Sequence, residues 1–216
     1  MSILILSSCS ENISKKNNDV KTDNAVSAEK SDVDIISESI MSDSLNADLY
    51  VQRARLNLTN EKVSLAIRDI NSALSIDKKN IEALLVLADV YYALGDEDNI
   101  LLTLNKANEY APLDTRPIIK LSELSFLQGN FRMAGAYVDK ALEMDKYNPK
   151  AYYMRGMLAM TEGDTAVALK NFMTSRMQQS DFVDPLIQIA HIYMAKNDTL
   201  AKSFFKEAMS IDHENY

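Results

Sequence analysis

IEALLVLADVYYALGDEDNILLTLNKANEYAPLD, residues 81–114, and PKAYYMRGMLAMTEGDTAVALKNFMTSRMQQSDF, residues 149–182, are two copies of one plan. Each opens with apolar residues at helical spacing, breaks at Gly-Asp, resumes a second amphipathic run and closes on polar turn residues. In the first run Leu84, Leu87, Ala88 and Tyr91 share one helical face. The glycine reads as a left-handed stop, and the aspartate after it as the cap of the next helix.

Working outward from these copies, the same plan recurs every 34 residues, with starts at Ala47, Ile81, Thr115, Pro149 and Val183, the fifth copy being one residue shorter in its turn. The eighth place of each copy is small (Ala54, Ala88, Ser122, Gly156, Ala190), which lets a second helix approach closely. The second helix answers with Ala66, Ile100, Ala134, Ala168 and Ala201 at the twentieth place and Ala73, Ala107, Ala141, Ser175 and Ala208 at the twenty-seventh. Between them the twenty-fourth place is bulky: Ile70, Leu104, Val138, Phe172 and Phe205. Asn46, Asn80, Asp114 and Asn148 precede the first helices as caps, and Pro117, Pro149 and Pro185 fall in first turns, where no helical hydrogen bond is lost.

This pattern resembles the tetratricopeptide repeat family, and the match runs from residue 47 to 212. Ala111-Pro112 fits the family's ending, whereas Asp77-Lys78, Asp145-Lys146 and Asp212-His213 keep only the acid. Repeat one departs most, with Arg53, Asn57 and Glu61 where an apolar residue, an aromatic and a glycine are usual. The resemblance implies an all-α, right-handed solenoid of about five helix-turn-helix repeats whose first helices line a concave surface. Ser39-Ile40-Met41-Ser42-Asp43 aligns with Ala73-Leu74-Ser75-Ile76-Asp77, so a lone helix over residues 33–42 is expected to cover repeat one within a repeat domain of residues 33–216.

In the family the fifth, ninth and twelfth places contact bound peptides. Here the fifth is Val51, Leu85, Ile119, Tyr153 and Ile187, the ninth Arg55, Asp89, Glu123, Met157 and His191, and the twelfth Leu58, Tyr92, Phe126, Met160 and Met194. Apolar rows at the fifth and twelfth places suggest a groove for a partner helix or apolar segment; the alternative is partial burial between adjacent first helices. The second place carries Asp48, Glu82, Arg116, Lys150 and Asp184 as a charged rim. Repeats that grip a chaperone's C-terminal carboxylate use Lys and Asn at the fifth and ninth places, Asn at the sixth of the next repeat and Lys and Arg in a third. The corresponding residues are Val51, Arg55, Val86, Arg116 and Lys120, so that clamp is not expected.

Composition bounds the rest. Forty-seven per cent hydrophobic residues with five glycines and four prolines suits packed helices. A net charge of −8 without a dense basic cluster argues against a nucleic-acid partner. No phosphate-binding loop, His-Glu-x-x-His helix or cysteine pair is present, so neither catalysis, a metal nor a cofactor is expected. The lone cysteine, Cys9, follows Leu6-Ser7-Ser8, which resembles the lipobox of bacterial lipoproteins. The apolar run before it is short and lacks a preceding Lys or Arg, as a truncated signal over residues 1–9 would. Residues 10–32 are polar and without periodicity, the composition of a disordered tether. Two placements stay open: a lipid-anchored scaffold in the bacterial envelope, at the outer membrane, whose only membrane contact is a lipid at Cys9, or a soluble cytoplasmic adaptor. Phe204, Met209 and Ile211 near the C-terminus are expected to leave a face open to a homodimer or partner.

Overall fold

A computed structural model describes residues 30–213, with side chains to Ile211. Cys9, the short signal-like stretch and nearly all of the expected tether lie outside the described residues. Within them the chain forms α1 (Asp32–Ser42), α2 (Ala47–Thr59), α3 (Val63–Ile76), α4 (Ile81–Leu94), α5 (Glu97–Tyr110), α6 (Arg116–Leu127), α7 (Phe131–Met144), α8 (Pro149–Thr161), α9 (Thr165–Gln178), α10 (Val183–Ala195) and α11 (Leu200–His213).

Even-numbered helices pack most closely on the odd-numbered helix that follows, and each such pair then stacks on the next, giving a helical solenoid. The packing follows from the small places. Ala54, Ser122, Ala190, Ala66, Ala134 and Ala168 are fully buried where paired helices meet. Where a serine replaces alanine, its hydroxyl finds a local acceptor: Ser122 Oγ donates to the Ala134 carbonyl at 3.0 Å and Ser175 Oγ to that of Pro149 at 2.7 Å. Repeat four fills the twenty-fourth place with a fully buried phenylalanine, Phe172, and opposite it the eighth place shrinks to Gly156. A Cβ built on Gly156 would lie 2.5 Å from the Phe172 ring.

Caps fix the boundaries. Asn46, Asn80, Asn148, Asp96, Asn130 and Asp164 each accept a hydrogen bond from a backbone N–H in the first turn they precede. Helix α6 starts one residue later than the repeat frame, because Asp114 accepts from the Arg116 N–H at 2.9 Å while Thr115 makes no side-chain cap. The turn between paired helices needs one left-handed residue. Gly95, Gly129 and Gly163 supply it at φ +69°, +73° and +78°, whereas Glu61 and Asn197 adopt +59° and +53° at the same place of repeats one and five.

Candidate partner-binding groove

The first helices stand side by side, with α2 against α4 and α6 against α8. Two adjoining cavities run along them. One, of about 360 Å³, is walled by Tyr92 of α4, Phe126 and Leu127 of α6 and Tyr153 and Met157 of α8, over a floor that includes Leu104 and Leu124. The other, of about 470 Å³, lies toward the helix N-termini between Arg55, Glu82, Arg116, Lys120 and Lys150. Asp89, Lys120 and Glu123 line both.

Sequence spacing explains the division. Places eleven to thirteen of α4 and α6 bring aromatic and leucine side chains to one end of the helices, and second-place charges gather at the other. The charges form a ladder: Arg55 meets Glu82 at 2.5 Å, Arg116 reaches both Glu82 and Asp114, and Lys120 pairs with Asp89. These pairs are partly exposed and each contributes little to stability. Their effect is to fix side-chain positions; Lys150 stands outside the ladder, and the N-termini of α6 and α8 add positive helix-dipole potential at this end of the cavity.

Glu123 sits at the junction of the two cavities. Burial pushes its carboxyl above the usual range; Lys120 and Lys150 pull it down without cancelling that rise, and Asp89 and Asp184 push it up. Burial likewise raises the Tyr153 hydroxyl, with Asp184 and Glu123 adding to the rise and a hydrogen bond with Gln188 opposing it. A protonated Glu123 is a donor facing the charged cavity, and an ionised one is a partly buried acceptor.

The structure separates the residues expected to form the groove. Arg55, Asp89, Tyr92, Glu123, Phe126, Tyr153 and Met157 line the cavities. Val51, Leu85 and Ile119 do not serve as groove residues in the sense expected: they are 3%, 4% and 2% exposed. The fifth place is wedged between a first helix and the next repeat, so Val51 belongs to the core of repeat one, while Leu85 and Ile119 reach only the floor of the basic cavity. Leu58 packs partly buried against that same core, and Ile187 is partly buried in α10. Met160, His191 and Met194 are exposed outside both cavities, the His191 ring 5.5 Å from that of Phe205.

Lys120 and Leu127 were not among the expected residues. Lys120 did carry a signal, since its place is uncharged in the other repeats (Gln52, Val86, Met154, Gln188). Leu127 carried none, because its approach depends on how α6 lies against α8.

With the geometry fixed, the chain can be set beside known proteins. No family model matches the sequence, and no curated protein matches it. Solved structures do. A tetratricopeptide-repeat protein of Thermus thermophilus, TTC0263, superposes with a TM-score of 0.67 at 17% identity, over 75% of this chain and 89% of that one. PilF of Pseudomonas aeruginosa gives 0.62 at 17% identity over 76% and 75%. YrrB, described as a tetratricopeptide-repeat protein with an unusual peptide-binding site, gives 0.51 at 19% identity over 83% and 93%.

The fold is the tetratricopeptide-repeat solenoid. That places the two cavities on the concave side formed by its first helices, and identities this low carry the fold and nothing of function.

Proposed function

We propose that this solenoid is a protein-binding scaffold that holds a segment of a partner in the two-part groove. The observation that carries the reading is the junction at Asp89, Lys120 and Glu123, where an aromatic cavity opens directly into a basic one. A matching segment places an aromatic or long aliphatic side chain among Tyr92, Phe126, Tyr153 and Met157, and an acidic side chain a few residues away beside Arg116, Lys120 and Lys150. The aromatic anchor supplies buried area, and the acid fixes direction and register. Binding of this kind calls for no catalytic group.

Selection of peptides from a random library on the full-length protein tests the reading. Enriched sequences should pair an apolar anchor with a nearby acid, Phe126→Glu should weaken them at least tenfold, and Lys150→Glu should weaken them in a manner that fades with salt. Enrichment of basic peptides, or binding indifferent to Phe126→Glu, would overturn it.

For placement, the lipobox-like Leu6-Ser7-Ser8-Cys9 supports a chain tethered to the bacterial envelope through a lipid on Cys9. Intact mass of protein expressed from its native locus decides this: added acyl mass on a chain beginning at Cys9 supports the anchor, and an unmodified chain in the soluble fraction supports the cytoplasmic adaptor. At the other end, exposed Met209 supports self-association through α11. A mass by light scattering that stays monomeric at high concentration would remove that reading.

A further inference from the structure

A separate surface lies at the N-terminal end of the solenoid. Helix α1 packs on α2 as α3 packs on α4, so α1 is by position the second helix of a repeat, and the described residues contain no first helix to pair with it. The consequence is a third cavity, of about 370 Å³, lined by Asp32, Ile35 and Ile36 of α1 and Gln52, Arg55 and Leu56 of α2.

The repeat register identifies it. One period later, Asp32, Ile36, Gln52 and Leu56 become Ala66, Ile70, Val86 and Val90, four residues no more than 1% exposed. Those four are closed over by Val51, Ala54 and Leu58 of α2 within one core cluster. Among the described residues the end cavity is the same socket without its helix, and Ile35 is half exposed in it.

The interior copy shows what such a socket accepts: an apolar residue, a small residue three positions on and an apolar residue seven positions on. Charge extends the pattern. At the interior copy Arg55, next to Ala54, meets Glu82 at the second place of α4. The corresponding acid of α2 is the exposed Asp48, and Asp32 adds a second acid at the socket's edge; Arg55, the base in the lining, is already paired with Glu82, so the matching residue of the occupant is basic. The described helices of a folded second copy offer none, since the small eighth place is buried in every repeat.

The geometry points to a docking site for a basic amphipathic helix of a partner protein, with apolar, small, basic and apolar residues at positions i, i+3, i+4 and i+7. This surface is distinct from the concave groove and stands whether or not the groove reading does.

The test uses the full-length protein and a stapled helical peptide copying residues 47–59 with Arg53→Leu and Asn57→Tyr, followed by amide chemical shifts. Saturable shifts should centre on Ile35, Ile36, Gln52 and Leu56. Ile36→Arg should weaken binding at least tenfold. Asp32→Lys, an exposed change that leaves the fold intact, should weaken it several-fold at low salt only, and Phe126→Glu should leave it unchanged. Absence of saturation, or shifts confined to the concave cavities, would overturn the proposal. So would a chain beginning at Lys30 that binds tenfold tighter, which gives the socket to the protein's own upstream residues, or a dimer abolished by Ile36→Arg, which gives it to a second copy.

Discussion

Repeats one and two occupy equivalent places in the solenoid and solve their interiors differently. In repeat two the three places concerned hold Leu87 and Tyr91 of α4 and Thr103 of α5, none of them charged. In repeat one the same three places hold Arg53, Asn57 and Asp69, joined as a network. Asp69 accepts from Arg53 Nε at 2.9 Å and Nη2 at 2.7 Å and from Asn57 Nδ2 at 3.0 Å, while Arg53 Nη1 donates to Ser37 of α1 at 3.0 Å. Asp69 is 1% exposed, and Asn57 Oδ1 is buried with no partner among the described residues. The departures that make repeat one the poorest match to the pattern are therefore coupled substitutions, legible as a unit only in three dimensions. The network ties α1, α2 and α3 together by direction rather than by area, at the end where, among the described residues, α1 packs against a single helix pair.

The largest expected effect comes from removing the acid. Asp69→Ala strands a partly buried guanidinium and the Asn57 amide, and breaking a buried pair on one side costs about 3 to 5 kcal/mol. Because a repeat array need not unfold in one step, the loss should be read locally by hydrogen exchange, with α2 and α3 amides losing far more protection than those of α8 and α9. Transplanting repeat two's solution, Arg53→Leu with Asn57→Tyr and Asp69→Thr, sharpens the comparison. It should recover most of that loss, since replacing a buried ionic cluster by packed apolar groups is often neutral or stabilising. A triple variant as unstable as Asp69→Ala would mean that the α1 contact through Ser37 dominates.

Repeat four offers the second contrast. Phe172 fills the twenty-fourth place that smaller residues fill in repeats one to three, and the eighth place has lost even its Cβ. Gly156→Ala should cost about 1 to 3 kcal/mol by overpacking, although alanine is the better helix former. The change Ala54→Gly in repeat one should cost less, about 1 kcal/mol, from helix propensity and a small void. Pairing Gly156→Ala with Phe172→Leu should restore stability; a destabilised double variant would show that the ring, tilted against Tyr153 at 5.8 Å between centroids, is needed for its own contacts.

Smaller again is the turn of repeat one. Glu61 sits at φ +59° where repeats two to four use glycine. Glu61→Gly removes a left-handed strain of about 1 kcal/mol but frees the unfolded chain, so the net gain in thermal unfolding should be roughly a few tenths of a kcal/mol.

These cases mark what the sequence could show. Phased small, bulky and small places specify two helices per repeat because each place has one role and one neighbour, and the helical solenoid follows. The groove was less legible. Fifth and twelfth places read alike as apolar rows, yet Val51, Leu85 and Ile119 turn inward while Tyr92 stays 60% exposed. Periodicity gives the face of one helix and not the angle at which the next helix crosses it. The ion-pair ladder was hidden for the same reason: Glu82 and Arg116 lie one full period apart in sequence and meet only when repeats stack.

The smallest effect concerns Glu123 and sets the groove against the repeat-one network. Burial raises the folded-state pKa of this carboxyl above its ordinary value of 4.5, so its contribution to stability is fully present below that unfolded value and is lost as pH rises through the folded one. At neutral pH the ionised group is a liability that Lys120 and Lys150 only partly offset. Glu123→Gln should therefore stabilise α6 and α8 modestly at neutral pH, with the advantage shrinking toward zero once the pH falls below the unfolded value, a trend that urea titrations across this range can resolve. The opposite sign, with the variant less stable at neutral pH, would mean that the two lysines hold the carboxylate more tightly than burial penalises it. In that case a partner's acid arriving beside Lys120 would have to compete with Glu123 as well as with Asp89, with which the lysine already pairs.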